Sequence, residues 1–126
     1  MGERIVGCGA WLWVLESNLA PRLRQLRVVP VLGRDVLLAD GLRARLLGLA
    51  HLERDEVGSG LLIPRCASVH TFGMRFELDL VFLDAGGRAL AVHRRIPARR
   101  VVFQRGARSV LEIPAGEGGE ISTLRP

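Results

Sequence analysis

Nine positions separate His70 from Asp79. An imidazole oriented by a carboxylate is a common general base. His93, further along the chain, could join them, and such a set would suit a small hydrolase or lyase. The competing reading is architectural. Asp79 stands inside the apolar run Leu78–Leu83, where a carboxylate must be paired or bonded to backbone N–H groups. On that reading Asp79 pins a loop or pairs with Arg45. Glu112, between Leu111 and Ile113, poses the same question with Arg75 or Arg108 as partner. Buried pairs set architecture as readily as chemistry, and the structural reading of Asp79 is preferred.

Cys66 follows Arg65, and a neighbouring guanidinium can favour a thiolate. No base accompanies it and Cys8 is distant, so a quiet thiol is expected. Two cysteines build no disulfide framework, and His51, His70 and His93 match no metal-ligand spacing. No metal and no cofactor are expected. There is no glycine-rich phosphate loop and no nucleophile elbow.

Charge is the clearest anomaly. Net charge is +5, and all 18 basic residues are Arg. Between Asp84 and Glu112 no acidic residue occurs, while Arg94, Arg95, Arg99, Arg100 and Arg105 crowd the stretch as candidate anion-binding groups. Such a stretch on one face would attract phosphates with a steep salt dependence. Phe103 is its only aromatic, which argues against base stacking, so nucleic acid ranks low as a partner. The plainer reading is a solvated rim around loops.

These groups need a scaffold. A chain of 126 residues that is 48% hydrophobic and 25% charged has the size and composition of one folded domain. With two Trp, four Phe and no Tyr, its core must be mainly aliphatic. Val28–Leu32 and Val36–Ala39 flank Gly33-Arg34-Asp35, which reads as a hairpin. Leu42, Leu46 and Leu49 recur on one helical face and predict a short helix. Short strands follow at Gly60–Ile63, Ser68–Phe72 and Leu78–Leu83. Asp84-Ala85-Gly86-Gly87 then turns the chain into Arg88–His93. Pro97 ends that strand, Arg99–Gly106 reads as a connection, and Ser109–Ile113 is another strand. A last one is expected at Glu120–Leu124. The expectation is a mainly β, antiparallel sandwich or barrel-like domain with one short α-helix.

Residues 1–26 read as an N-terminal extension and residues 27–126 as a single β domain. Ile5-Val6-Gly7-Cys8 is similar to a lipoprotein processing site, but no hydrophobic segment precedes it. Ile5–Leu15 is too short to span a bilayer. A cytoplasmic, reducing location without a membrane span is expected, with an exported form only if the start codon is misplaced.

Several short motifs, in order, carry a family resemblance. They are Arg45-Leu46-Leu47-Gly48-Leu49, Gly60-Leu61-Leu62-Ile63 and His70-Thr71-Phe72-Gly73-Met74. Leu78-Asp79, Phe82-Leu83-Asp84, Pro97, Val110-Leu111-Glu112 and Ala115-Gly116 follow. From about Val28 to Gly119 the chain resembles the domain of unknown function 192 family. The resemblance implies a compact β-sandwich-like domain with a short helix and brings no activity with it. It also implies that many relatives carry Trp where this chain has His70, which weakens His70 as an obligatory base.

The leading expectation is therefore a non-catalytic binding or accessory module. Its polar cleft would gather Arg45, His70, Thr71 and Asp79, with Glu112 as a further ligand-binding candidate. The partner would be a small polar or anionic ligand, or a protein. The alternatives are the hydrolase or lyase using His70 and Asp79, and an Arg-rich nucleic-acid accessory protein.

Overall fold

The computed structural model describes residues 19–117. The Cys8 motif, the Ile5–Leu15 run and the strand expected at Glu120–Leu124 lie outside them.

The chain enters through a single helical turn, α1 (Pro21–Arg24), with Pro at its start, where a missing N–H costs no hydrogen bond. Strands β1 (Val28–Val31) and β2 (Arg34–Leu38) form the expected hairpin. Its turn is Leu32-Gly33, with φ of 52° and 81°, so β2 starts two residues early. A two-residue turn that follows the strand twist needs positive φ at both positions. Helix α2 (Leu42–Leu47) follows, then a 3-10 turn at Arg54–Glu56. The remaining strands are β3 (Leu61–Pro64), β4 (Ser68–His70), β5 (Leu78–Leu83), β6 (Ala89–Ile96), β7 (Val101–Phe103) and β8 (Ser109–Pro114).

Six strands make one sheet in the order β1-β2-β3-β8-β5-β6, and β4 pairs with β7 in a second, two-stranded sheet. The class is mainly β, as expected. One pairing departs from an all-antiparallel sheet, because β2 and β3 run parallel. Parallel neighbours need a crossover, and the segment holding α2 supplies it. The described strands close no barrel. Strand β7 falls inside the expected connection Arg99–Gly106. Three residues with only Val102 turned inward leave almost no alternation to read.

Strand β8 lies between β3 and β5, so both of its edges are paired, and cores on the two sides of the sheet bury its faces. Directly opposed residues share a face. Glu112 lies opposite Leu61 and Leu80, whereas Asp79 lies opposite Ile113. The two carboxylates therefore leave the sheet on opposite sides. Leu61, Leu80, Phe82 and Val110 build the larger core with Leu49, Val57, Val69 and Met74. Leu19, Ala20 and Leu23 join that core, so the described part of the region before Val28 is packed against the domain. Val36, Val81, Leu83, Leu111 and Ile113 build the smaller core on the other face.

Candidate functional site

Of the apolar stripe that marks helix α2 in the sequence, Leu49, just past the helix, is buried in the core, while the two members on the helix are not. Leu42 and Leu46 are 71% and 62% exposed, and no residue of the helix is buried. Phe72 and Val101 are also exposed. These four side chains, with Ile63 and Glu112, line one groove of about 530 Å³ between α2, the main sheet and the β4–β7 sheet. That volume suits a small molecule. The walls are mostly apolar, in contrast to the polar cleft expected from the sequence.

Glu112 is the polar exception on the sheet side. It is 3% exposed, and its Oε1, closed off from solvent, has no hydrogen-bond partner among the described residues. The Leu49 backbone N–H donates to its carboxylate. Burial disfavours the ionised form and pushes the carboxyl up to about 7, against an ordinary 4.5. Its neighbour Gly48 has φ +53°, and a Cβ there would stand 3.0 Å from Oε1. Glycine therefore lets the chain turn off α2 directly over the carboxyl. Arg22, on α1, donates to the carbonyls of Gly48 and Ala50 at 2.9 and 2.8 Å and clamps this turn from outside the groove.

Of the four residues expected to converge, two reach the groove. Arg45 lines it, with Nε buried and unpartnered and an Nη donating to the Arg65 carbonyl. His70 lines it too, and its Nδ1 accepts the Phe72 N–H at 3.2 Å. Thr71 is fully buried behind the wall. Its hydroxyl donates to the Pro97 carbonyl at 2.6 Å and accepts the Arg100 N–H at 2.8 Å, clipping the motif to the loop before β7.

Asp79 is on the far face of the sheet. It accepts from Arg94 at 3.0 Å, from the Arg95 N–H at 2.9 Å and from the Gly116 N–H at 3.4 Å. Arg95 has φ +54° at an irregularity in the β5–β6 register, so Asp79 fastens a bulge. The expected partner Arg45 is replaced by Arg94, and His70 and Asp79 form no pair. Glu112 gains neither expected partner. Arg75 bonds Glu53 at 2.6 Å, and Arg108 is exposed elsewhere.

Among the expected anion-binding residues, Arg94 is engaged with Asp79 and Arg95 reaches Glu77 at 3.4 Å. The side chains of Arg99, Arg100 and Arg105 are exposed. Among the described residues, no three His, Cys, Asp or Glu side chains cluster to hold a metal ion. None of the described helices is long and apolar enough to cross a membrane.

The family model for domain of unknown function 192, described as an uncharacterized ACR, matches residues 30–123, well over half of the chain. The chain belongs to that family. Two solved structures share the fold. One, from Novosphingobium aromaticivorans, is of unknown function; the TM-score is 0.61 at 20% identity, covering 82% of this chain and 84% of that one. The other, from Sinorhizobium meliloti, is described as a candidate transcription regulator. Its TM-score is 0.59 at 22% identity, covering 80% of this chain and 86% of that one. At such identity the likeness carries the fold alone. No curated protein matches the chain.

The groove explains the residue types in this family member's His-Thr-Phe-Gly-Met stretch. His70 and Phe72 face the groove, and their rings lie 5.8 Å apart. Thr71 turns inward, and Met74, buried in the core, also lines the groove. Gly73 lies against the ring of His51, where a Cβ would approach to 2.8 Å. Sequence reasoning missed the groove residues Leu42, Leu46 and Val101 and the clamp Arg22. The stripe Leu42–Leu46 was the available signal, but periodicity marks an apolar face without saying what covers it.

Proposed function

We propose that this chain is a non-catalytic binding module whose groove receives the apolar part of a small molecule. The observation that carries this reading is a mostly apolar groove of about 530 Å³ lined by the exposed side chains of Leu42, Leu46, Phe72 and Val101. Exposed Leu42, Leu46, Phe72 and Val101 add apolar area that an occupant would remove from water. Mostly apolar walls with a small number of placed polar groups are the usual composition of a small-molecule site.

The test is thermal unfolding with a panel of apolar and amphipathic compounds, on the wild type and on Leu46→Arg. A compound at a hundred times its Kd adds about 2.7 kcal/mol of stability. The expected result is stabilisation of the wild type and none of the variant, whose new side chain blocks the groove. Equal stabilisation of both, or of neither, overturns the reading.

A further inference from the structure

Of the large apolar side chains exposed among the described residues, all but Val28 and Leu90 surround the groove. Leu42 and Leu46 stand on the α2 bank, and Val101 stands on the β7 bank. Phe103, 64% exposed, shares the Val101 face of that strand, because side chains two apart in a strand point the same way. It lies opposite Ser68, itself part of the groove wall. Phe72, in the turn after β4, completes the set. Soluble chains rarely gather exposed apolar side chains from distant segments without an interaction to serve.

Charge is segregated on the same face. Residues 41–52, 63–76 and 97–106 carry these side chains and contain no acidic residue. Asp40 stands just before the first segment, and Glu112 is buried at the groove wall. Arg45 and Arg75 are bonded within the fold. Arg43, Arg65, Arg99, Arg100 and Arg105 are exposed, and no carboxylate pairs with them among the described residues. The Arg99 and Arg100 N–H groups donate to the Thr71 carbonyl and hydroxyl at 3.2 and 2.8 Å. Both arginines are therefore seated beside the Phe72 turn.

We propose that this face docks onto an anionic lipid surface, its apolar side chains entering the interface and its arginines meeting the headgroups. Interfacial binding adds buried apolar area to the attraction between basic residues and anionic lipid, and this face supplies both. The guanidinium fork also suits lipid phosphates. A protein partner would need fitted pockets for side chains that project from two banks and a turn; a fluid interface needs none. The reading goes beyond the small-molecule site and is independent of it.

The experiment is co-sedimentation of the full chain with vesicles of phosphatidylcholine alone and of an equimolar mixture with phosphatidylglycerol, with no added compound. The mixed vesicles are expected to bind the protein, more weakly as salt rises and screens the exposed charges. Phosphatidylcholine alone is expected to bind at least about tenfold more weakly. Arg99→Gln combined with Arg100→Gln should weaken binding about 25-fold, or about fivefold for each arginine. Phe103→Ser should weaken it about tenfold and leave the salt dependence unchanged. These side chains are exposed, so the variants should unfold at the wild-type midpoint. The lipid and salt dependence of the wild type tests the proposal even if a variant does not fold.

Equal binding to both vesicles would overturn the proposal. Binding indifferent to Phe103→Ser would also overturn it, because that is adsorption by charge alone. Sedimentation with neither vesicle would overturn it too. Binding of a synthetic Glu-rich amphipathic peptide in that case would assign the face to an acidic protein segment, and dimers lost in Phe103→Ser would assign it to a second copy. Compounds that stabilise the protein without any vesicle binding would keep the small-molecule site and remove the membrane; vesicle binding without such compounds would do the reverse.

Discussion

Asp79 and Glu112 stand on neighbouring strands, β5 and β8, each within an apolar run, and both are buried, at 1% and 3% exposure. Their surroundings differ. Asp79 has a guanidinium and two backbone N–H groups around it. Glu112 has one backbone N–H and an orphaned oxygen on the wall of a groove. Asp79 holds a bulge and the turn after β8 together, so its charge is spent on architecture. Among the described residues, no group bonds Oε1 of Glu112. A buried carboxylate in an apolar strand is therefore not by itself a sign of function; the partners that the fold supplies decide how far it is satisfied.

The largest expected effect comes from breaking the satisfied member of the pair. Asp79→Ala leaves Arg94 without its carboxylate and the bulge N–H groups without an acceptor. It should destabilise the protein by about 4 kcal/mol in urea unfolding. A loss below about 1 kcal/mol would mean the bulge holds itself, and the contrast with Glu112 would collapse.

Glu112→Gln should act in the opposite direction and depend on pH. The native state keeps the Glu112 proton to about 7, while the unfolded chain releases it near 4.5. Between those values the native state binds more protons, so wild-type stability falls as pH rises. The contribution is complete below 4.5 and lost above about 7. The variant should flatten that slope and be more stable than the wild type at alkaline pH, by roughly 3 kcal/mol at most. Unfolding midpoints across the window check it, and parallel slopes in both proteins would place the proton elsewhere.

Arg22→Ala removes two bonds to the Gly48 turn and should cost about 1 kcal/mol. It also loosens the Leu49 N–H that serves Glu112. The native carboxyl should then titrate higher still, a change that carboxyl NMR would read. An unchanged titration would show that the turn keeps its shape without the clamp.

The smallest effect on stability belongs to Leu46→Arg. An exposed position should change unfolding by less than about 0.5 kcal/mol, while compounds that enter the groove lose their effect. A large destabilisation would mean that Leu46 packs as core.

Much of the scaffold was legible in the sequence because it rests on local physics. The Asp84–Gly87 turn is one instance. The Asp84 side chain accepts from the Gly86 and Arg88 N–H groups, and Gly87 takes φ +81°. Those residue types state the turn without reference to the rest of the fold. The β1–β2 hairpin and the buried strand β5 follow from similar signals. Strand β7 escaped because a three-residue edge exposes Val101 and Phe103 and shows no alternation to read. The parallel β2–β3 pairing escaped because α2 has only six residues and does not look like a crossover.

The candidate site was legible only as a collection of residue types. Arg45, His70 and Glu112 were named, and the structure places them on one groove. Thr71 and Asp79 were named beside them, and the structure turns them elsewhere. Sequence alone determined the mainly β class, the positive charge, the aliphatic core and the presence of carboxylates in apolar strands. Each follows from composition or from periods of a few residues. Only the tertiary structure decided which carboxylate is satisfied, because that depends on strand register, which sends Asp79 and Glu112 to opposite faces. It also decided that the Leu42–Leu46 stripe borders a groove, because what covers an apolar face is set by segments distant along the chain.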